Sequence, residues 1–168
     1  MMTDTVFTRI VRREIPAAIV FEDEQVIAFM DAGQVNPGHV LVATKRQVET
    51  VMELSEAEAG HLFAIATRVA KAVQAAFQPT GMTLLQTNHP DGWQTVPHVH
   101  VHVLPRHAND SVGLEWPRKD PQLAELQALA ARKRQQLGGQ FGPALAGVGD
   151  VLQAGAYLVQ VAALDIPC

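Results

Sequence analysis

An α+β domain, a five-stranded antiparallel sheet carrying two main helices, is what this sequence predicts, and three observations predict it. Short runs rich in Val, Ile and Phe recur between clusters of turn-forming residues. A capping box opens a long stretch whose apolar residues repeat at helical spacing. One run, His98-Val99-His100-Val101-His102-Val103, alternates so strictly that an extended strand sorts the imidazoles to one face and the valines to the other.

In chain order, Phe7, Ile10 and Val11 lie at helical spacing ahead of Pro16, which predicts a short helix over residues 7–13. Residues 18–21 and 26–30 are apolar runs about the polar Glu22-Asp23-Glu24, a hairpin whose second strand is closed by Asp31. Asn36-Pro37-Gly38 signals a turn and residues 39–43 a third strand, so this half reads as an antiparallel meander. Ser55-Glu56-Ala57-Glu58 fits a capping box. From it Leu62, Ile65, Ala66, Val69 and Val73 recur on one face, the core side of a helix that Pro79-Thr80-Gly81 ends. Residues 82–86 form a fourth strand, and the histidine run is the fifth. Asp120-Pro121 then supplies an N-cap and a proline at the first helical position, opening a second main helix that reaches Leu137 and halts at Gly138-Gly139.

With 168 residues, 48% of them apolar and 18% charged, the chain suits one well-buried core. A net charge of −4 with scattered Lys and Arg offers no basic surface to nucleic acid. The single cysteine, Cys168, excludes an intramolecular disulfide, and Met1-Met2-Thr3-Asp4-Thr5 lacks the basic start of a signal peptide, so a cytoplasmic location is expected. Residues 138–168 carry only Asp150 and Asp165 as charges, which marks a boundary between a domain over 1–137 and an extension of unknown role. The uncharged run from Val151 to Leu164 falls short of the ~20 residues that span a bilayer, so no membrane partner is expected.

The histidine face carries the chemistry. Same-face side chains sit roughly 6.6–7 Å apart along a strand, a spacing at which one phosphate group touches two or three rings. A wet strand face with incidental histidines and a zinc site are the competing readings; against zinc, no cysteine is near and the nearest carboxylate, Asp91, lies in the preceding loop. With an ordinary pKa near ~6.5, one imidazole serves as a neutral nucleophile while a protonated neighbour donates to phosphate oxygens. Gln94 and Thr95 add an amide and a hydroxyl just upstream.

The run Gln94-Thr95-Val96-Pro97-His98-Val99-His100-Val101-His102-Val103-Leu104-Pro105-Arg106 resembles the signature of the histidine triad (HIT) superfamily of nucleotide hydrolases and transferases. The likeness continues through Phe7-Thr8-Arg9-Ile10, Ala28-Phe29-Met30-Asp31 and Pro37-Gly38-His39-Val40-Leu41-Val42, and covers about residues 5–137. It implies a HIT-like fold over 1–137 and a purine nucleotide substrate cleaved at its α-phosphate. His100 would be the nucleophile that forms a nucleotidyl-histidine, with His98 and His102 orienting it, holding the phosphate and assisting the leaving group. It further implies that Gln94 and Thr95 contact the phosphate, that Asp31 accepts from the ribose hydroxyls, and that Phe7, Ile10, Phe29 and Leu41 wall the base. Plain core is the alternative for those four. His39 matches a histidine near the triad, but the reading kept for it is a buried, satisfied residue at a strand start. No cofactor is implied, and a homodimer through the first long helix and an edge strand is expected.

Two departures stand out. Many bacterial members hold a structural zinc at positions that here are Thr5, Thr8, Gln47 and His98, a donor set that lacks thiolates, so no metal is expected. In the phosphate loop Thr87, His89 and Trp93 replace an amide residue and two glycines of the family, and Asn88, one place late, is the candidate amide. The substrates implied are phosphoramidates or related adenylates. A dinucleoside polyphosphate hydrolase, with Arg106 and Arg118-Lys119 as its cations, and a non-catalytic nucleotide-binding regulatory module are the alternatives.

Overall fold

The computed structural model describes residues 3–113, 115 and 117–141, so residues 142–168 of the expected extension lie outside the described residues. Two compact units divide after Leu114. The first holds a short helix, α1 (Val6–Val11), strands β1 (Ile19–Glu22), β2 (Val26–Met30) and β3 (Val40–Thr44), a long helix α2 (Glu56–Phe77), and strands β4 (Gly81–Gln86) and β5 (His100–Arg106). The second contains α3 (Leu123–Phe141). The five strands form one sheet in the order β1-β2-β3-β5-β4, every neighbouring pair antiparallel, as the sequence predicts.

Local chemistry accounts for the element ends. Ser55 caps α2 by accepting from the Glu58 amide while the Glu58 carboxylate reaches back to Ser55. Helix α1 stops at Val11, short of the expected 13, because Arg13 turns into the left-handed region at φ 62°. Helix α3 begins at Leu123, after the Asp120-Pro121 signal, and continues through Gly138-Gly139 to Phe141. A glycine inside a helix costs only about 1 kcal/mol relative to alanine and terminates it only when it adopts a left-handed cap, which this pair does not. Gly38 is required where it stands: its φ is +96°, and a Cβ there would sit 2.7 Å from the Phe77 ring at the end of α2.

Pairing on both edges of β5 sorts its side chains. Val101 and Val103 stand opposite Val42 and Val40 of β3, and with Val99, Val26 and Ala28 they meet Leu62, Ile65, Ala66, Val69 and Val73 of α2 in the main core. All five helix positions read from the sequence are buried. On the opposite face His100 pairs with Ala43 and His102 with Leu41, and Ile27 and Phe29 of β2 continue those rows. Helix α1 covers this second face through Phe7 and Ile10. No helix among the described residues is long and apolar enough to cross a membrane.

The α2 face is the heavier core, and Leu62 is fully buried in it. Leu62→Ala should lower unfolding free energy by about 3 kcal/mol, the transfer and cavity cost of a buried leucine, and shift the urea midpoint without changing the slope.

Candidate active site

The site is the histidine face of β5 where β2, β3 and α1 surround it. His100 is 3% exposed, and its Nδ1 lies 2.6 Å from the carbonyl oxygen of His98. A carbonyl only accepts, so Nδ1 carries the proton and Nε2 keeps a free lone pair. Phe7 presents an edge to both His100 and His98, with ring centroids 5.0 and 5.6 Å apart. His102 is half-buried beside His100, at a centroid distance of 4.9 Å.

His98 precedes the strand and is fully buried, with both nitrogens engaged. Nε2 donates to the Thr44 carbonyl at 2.7 Å, which leaves Nδ1 to accept the Thr5 hydroxyl at 2.8 Å. Thr5, Thr8, Gln47 and His98 do converge, but their hydroxyl and amide oxygens are already bonded to one another and to the backbone, so the set does not fit zinc.

His39 is drawn in where the sequence reading kept it as plain structure. It is 3% exposed, its Nε2 is 3.0 Å from His102 Nδ1, and its Nδ1 faces an Asp31 carboxylate oxygen at 3.4 Å with no hydrogen-bond partner of its own. The carboxylate favours a proton on the His39 Nδ1, which sends the Nε2 lone pair to an N–H on His102. Register explains the placement: Leu41 pairs with His102, and His39 lies two residues away on the same side. Gln34 secures it, donating to the carbonyls of Asp31 and His39 at 2.7 Å each and accepting from the amides of Gly38 and His39. Nothing in the sequence pattern singled out Gln34; the polar turn after β2 was its only signal.

The other candidates separate. Phe7, Ile10, Phe29 and Leu41, each 3–7% exposed, gather in one cluster with the fully buried Ile27 and Ala43. Asp31 closes β2 as expected and accepts from the Gly33 amide at 2.8 Å. Thr95 is exposed. Gln94 is buried, its amide accepting from the His89 N–H and donating to the Glu49 carbonyl, and Asn88 accepts from the Val51 amide while pairing with the Gln86 side chain. Both amides are thus spent on shaping the loop. Trp93 stands 58% exposed at φ 70° at the end of that loop. Arg106 is clamped by Asp110 at 2.7 and 2.9 Å and bonded to Thr83, and that clamp holds the Asp110 carboxyl well below the usual range.

Burial sets the ionisation of the rings. Desolvation pushes His98 and His100 below the ordinary imidazole value, outweighing the hydrogen bonds to the Thr44 and His98 carbonyls that favour their charged forms. Desolvation, then the charges of His100 and His39, lower His102 to about 4. At neutral pH without ligand the three rings are therefore neutral, and the division into one neutral and one protonated ring waits on an arriving anion.

A family model, described as HIT domain, matches residues 12–109. A curated relative from Bacillus subtilis (strain 168), called Protein hit, is 38% identical over 112 residues, 66% of this chain and 77% of that protein. The purine nucleoside phosphoramidase of Escherichia coli (strain K12) is 34% identical over 107 residues, 62% of this chain and 88% of the enzyme. A solved structure of a HIT family member from Bacillus subtilis matches with a TM-score of 0.76 at 32% identity, covering 80% of this chain and 97% of that one.

Neutral buried rings also make the fold acid-sensitive. The unfolded chain protonates these histidines near ~6.5 and the folded chain only lower, so stability holds above about pH 6.5 and is lost as pH falls from there through the folded values. Melting temperatures between about pH 8 and pH 4.5 should descend for the wild type. His102→Gln, which removes the ring lowered to about 4, should make that descent shallower.

Proposed function

The chain belongs to the HIT domain family, and from that premise we propose that it is a nucleotide hydrolase or nucleotidyl transferase that cleaves purine nucleoside phosphoramidates and related adenylates at the α-phosphorus. The observation that carries this reading is the His100 ring: its Nδ1–H is held by the His98 carbonyl at 2.6 Å, so Nε2 is an aligned, unprotonated nucleophile.

In the first step Nε2 of His100 bonds to phosphorus as the bond to the leaving amine breaks. That amine takes a proton from His102, the flanking ring that is not fully engaged, since both nitrogens of His98 are already bonded. His102 is neutral at rest with its Nδ1–H on His39, but a phosphate anion beside it favours its charged form, so its Nε2 takes up a solvent proton and then delivers it to the amine. Asp31 and His39 support that ring from behind. Water then attacks the nucleotidyl-histidine, His102 takes the proton from it, and the nucleoside monophosphate leaves with His100 restored.

The remaining residues take supporting places. Thr95 offers its exposed hydroxyl to the phosphate, with Gln94 and Asn88 shaping the loop behind it. Phe7, Ile10, Phe29 and Leu41 present the edges of their buried cluster to the base, and Asp31 takes the ribose hydroxyls. The leaving group follows from charge. A polyphosphate asks for cations near the triad, and Arg106 is already neutralised by Asp110, whereas an amine asks for a proton donor. The similarity to the Escherichia coli purine nucleoside phosphoramidase supports that choice. A homodimer through α2 and the edge strand β4, where Leu84 is 40% exposed, belongs to the same reading.

An adenosine phosphoramidate should exceed a diadenosine polyphosphate in kcat/KM by tenfold or more, about 1.4 kcal/mol in transition-state binding; the reverse preference would overturn the substrate class. His100→Ala should abolish turnover while nucleotide affinity stays within about tenfold. Full activity in that variant would refute the mechanism.

A further inference from the structure

We propose that Thr5, Thr8 and Gln47 form a metal-free hydrogen-bonded latch that fixes His98 in its Nε2–H tautomer and docks α1 on the triad strand, making the three of them positioning residues for His100.

The direction of each bond follows from the groups present. The Thr44 carbonyl accepts from His98 Nε2, so the Thr5 hydroxyl must donate to Nδ1. Having given its proton, Thr5 Oγ1 still accepts, and it takes the Thr8 amide at 3.2 Å as the N-cap of α1. The Thr8 hydroxyl donates to the Gln47 carbonyl oxygen, which also accepts the Thr5 amide at 3.2 Å. The other end of Gln47 donates to the Thr3 carbonyl at 2.9 Å. Both threonine hydroxyl protons and the Gln47 carbonyl oxygen are engaged, and Thr5 and Thr8 are each 7% exposed. The latch joins segments far apart in sequence, with Thr5 and His98 separated by 93 residues.

Two consequences reach the nucleophile. The carbonyl that orients His100 belongs to His98, so anchoring the His98 ring on both nitrogens steadies the acceptor of the 2.6 Å bond. The same cap holds the first turn of α1, which sets Phe7 against His100. The positioning role rests on the function proposed above; the tautomer and the absence of metal do not.

The test reads ring nitrogens, metal content and turnover on the full chain. Nitrogen-15 spectra of the wild type should show His98 neutral, protonated on Nε2 and bare on Nδ1, in protein purified without stoichiometric zinc. Thr5→Val should lower kcat for adenosine phosphoramidate about tenfold with KM little changed, and Thr5→Ser, which keeps the hydroxyl, should restore it. A His98 ring that is cationic or protonated on Nδ1, one tightly held zinc per chain, or a Thr5→Val variant with wild-type kcat would overturn the latch. Should Thr5→Val fail to fold, the wild-type spectrum and metal content still decide. The expected spectrum in a chain that turns over no adenylate would support the latch and count against the enzymatic reading instead.

Discussion

Strand β5 is hydrogen-bonded along both edges, to β3 and to β4, and that double pairing is the constraint from which the site follows. A strand so held has only two directions for its side chains. Its valines enter the core under α2, and burying them fixes the register, because a slip of one residue would drive the imidazoles into that core. The histidine face is therefore maintained by the apolar packing behind it.

Placing imidazoles on the second face of a covered sheet raises a different demand, since buried polar groups cost free energy unless bonded. The structure meets it with backbone carbonyls and hydroxyls: the Thr44 carbonyl and Thr5 hydroxyl for His98, the His98 carbonyl for His100, and His39 for His102. None of these partners is a carboxylate in direct contact, so burial dominates and all three rings are held neutral. Neutrality is what a nitrogen nucleophile needs. Bonding at Nδ1 of His100 leaves Nε2 as its free nitrogen.

Most of the fold was legible because its signals are local. Alternation at 98–103, the Ser55 capping box and the 3.6-residue repeat from Leu62 to Val73 each act within a few residues; the box and the repeat are found as expected, and the alternating run forms β5 from His100 to Arg106, two residues later than its first histidine. The helix ends were less legible. Arg13 adopts a positive φ that its type does not announce, and Gly138-Gly139 lies inside α3 because glycine permits a stop without compelling one. In the site, the convergence of His100 and His102 with Phe29 and Leu41 follows from strand pairing. The uses of Gln34 and Gln94 do not, since each depends on which backbone groups are left unpaired once the loops close. Arg106 illustrates the same limit: from sequence it is a free cation near the triad, and only the fold brings Asp110 against it.

The proposed chemistry turns on the free Nε2 of His100 as the atom that bonds to phosphorus. The most direct measurement is mass spectrometry of wild-type protein mixed with an adenosine phosphoramidate and denatured in alkali within the first turnovers, where a phosphorus–nitrogen bond to imidazole survives. A mass gain of one adenylyl group mapped to His100 is expected. Turnover with no adduct at any time, or an adduct mapped to another residue, would contradict it.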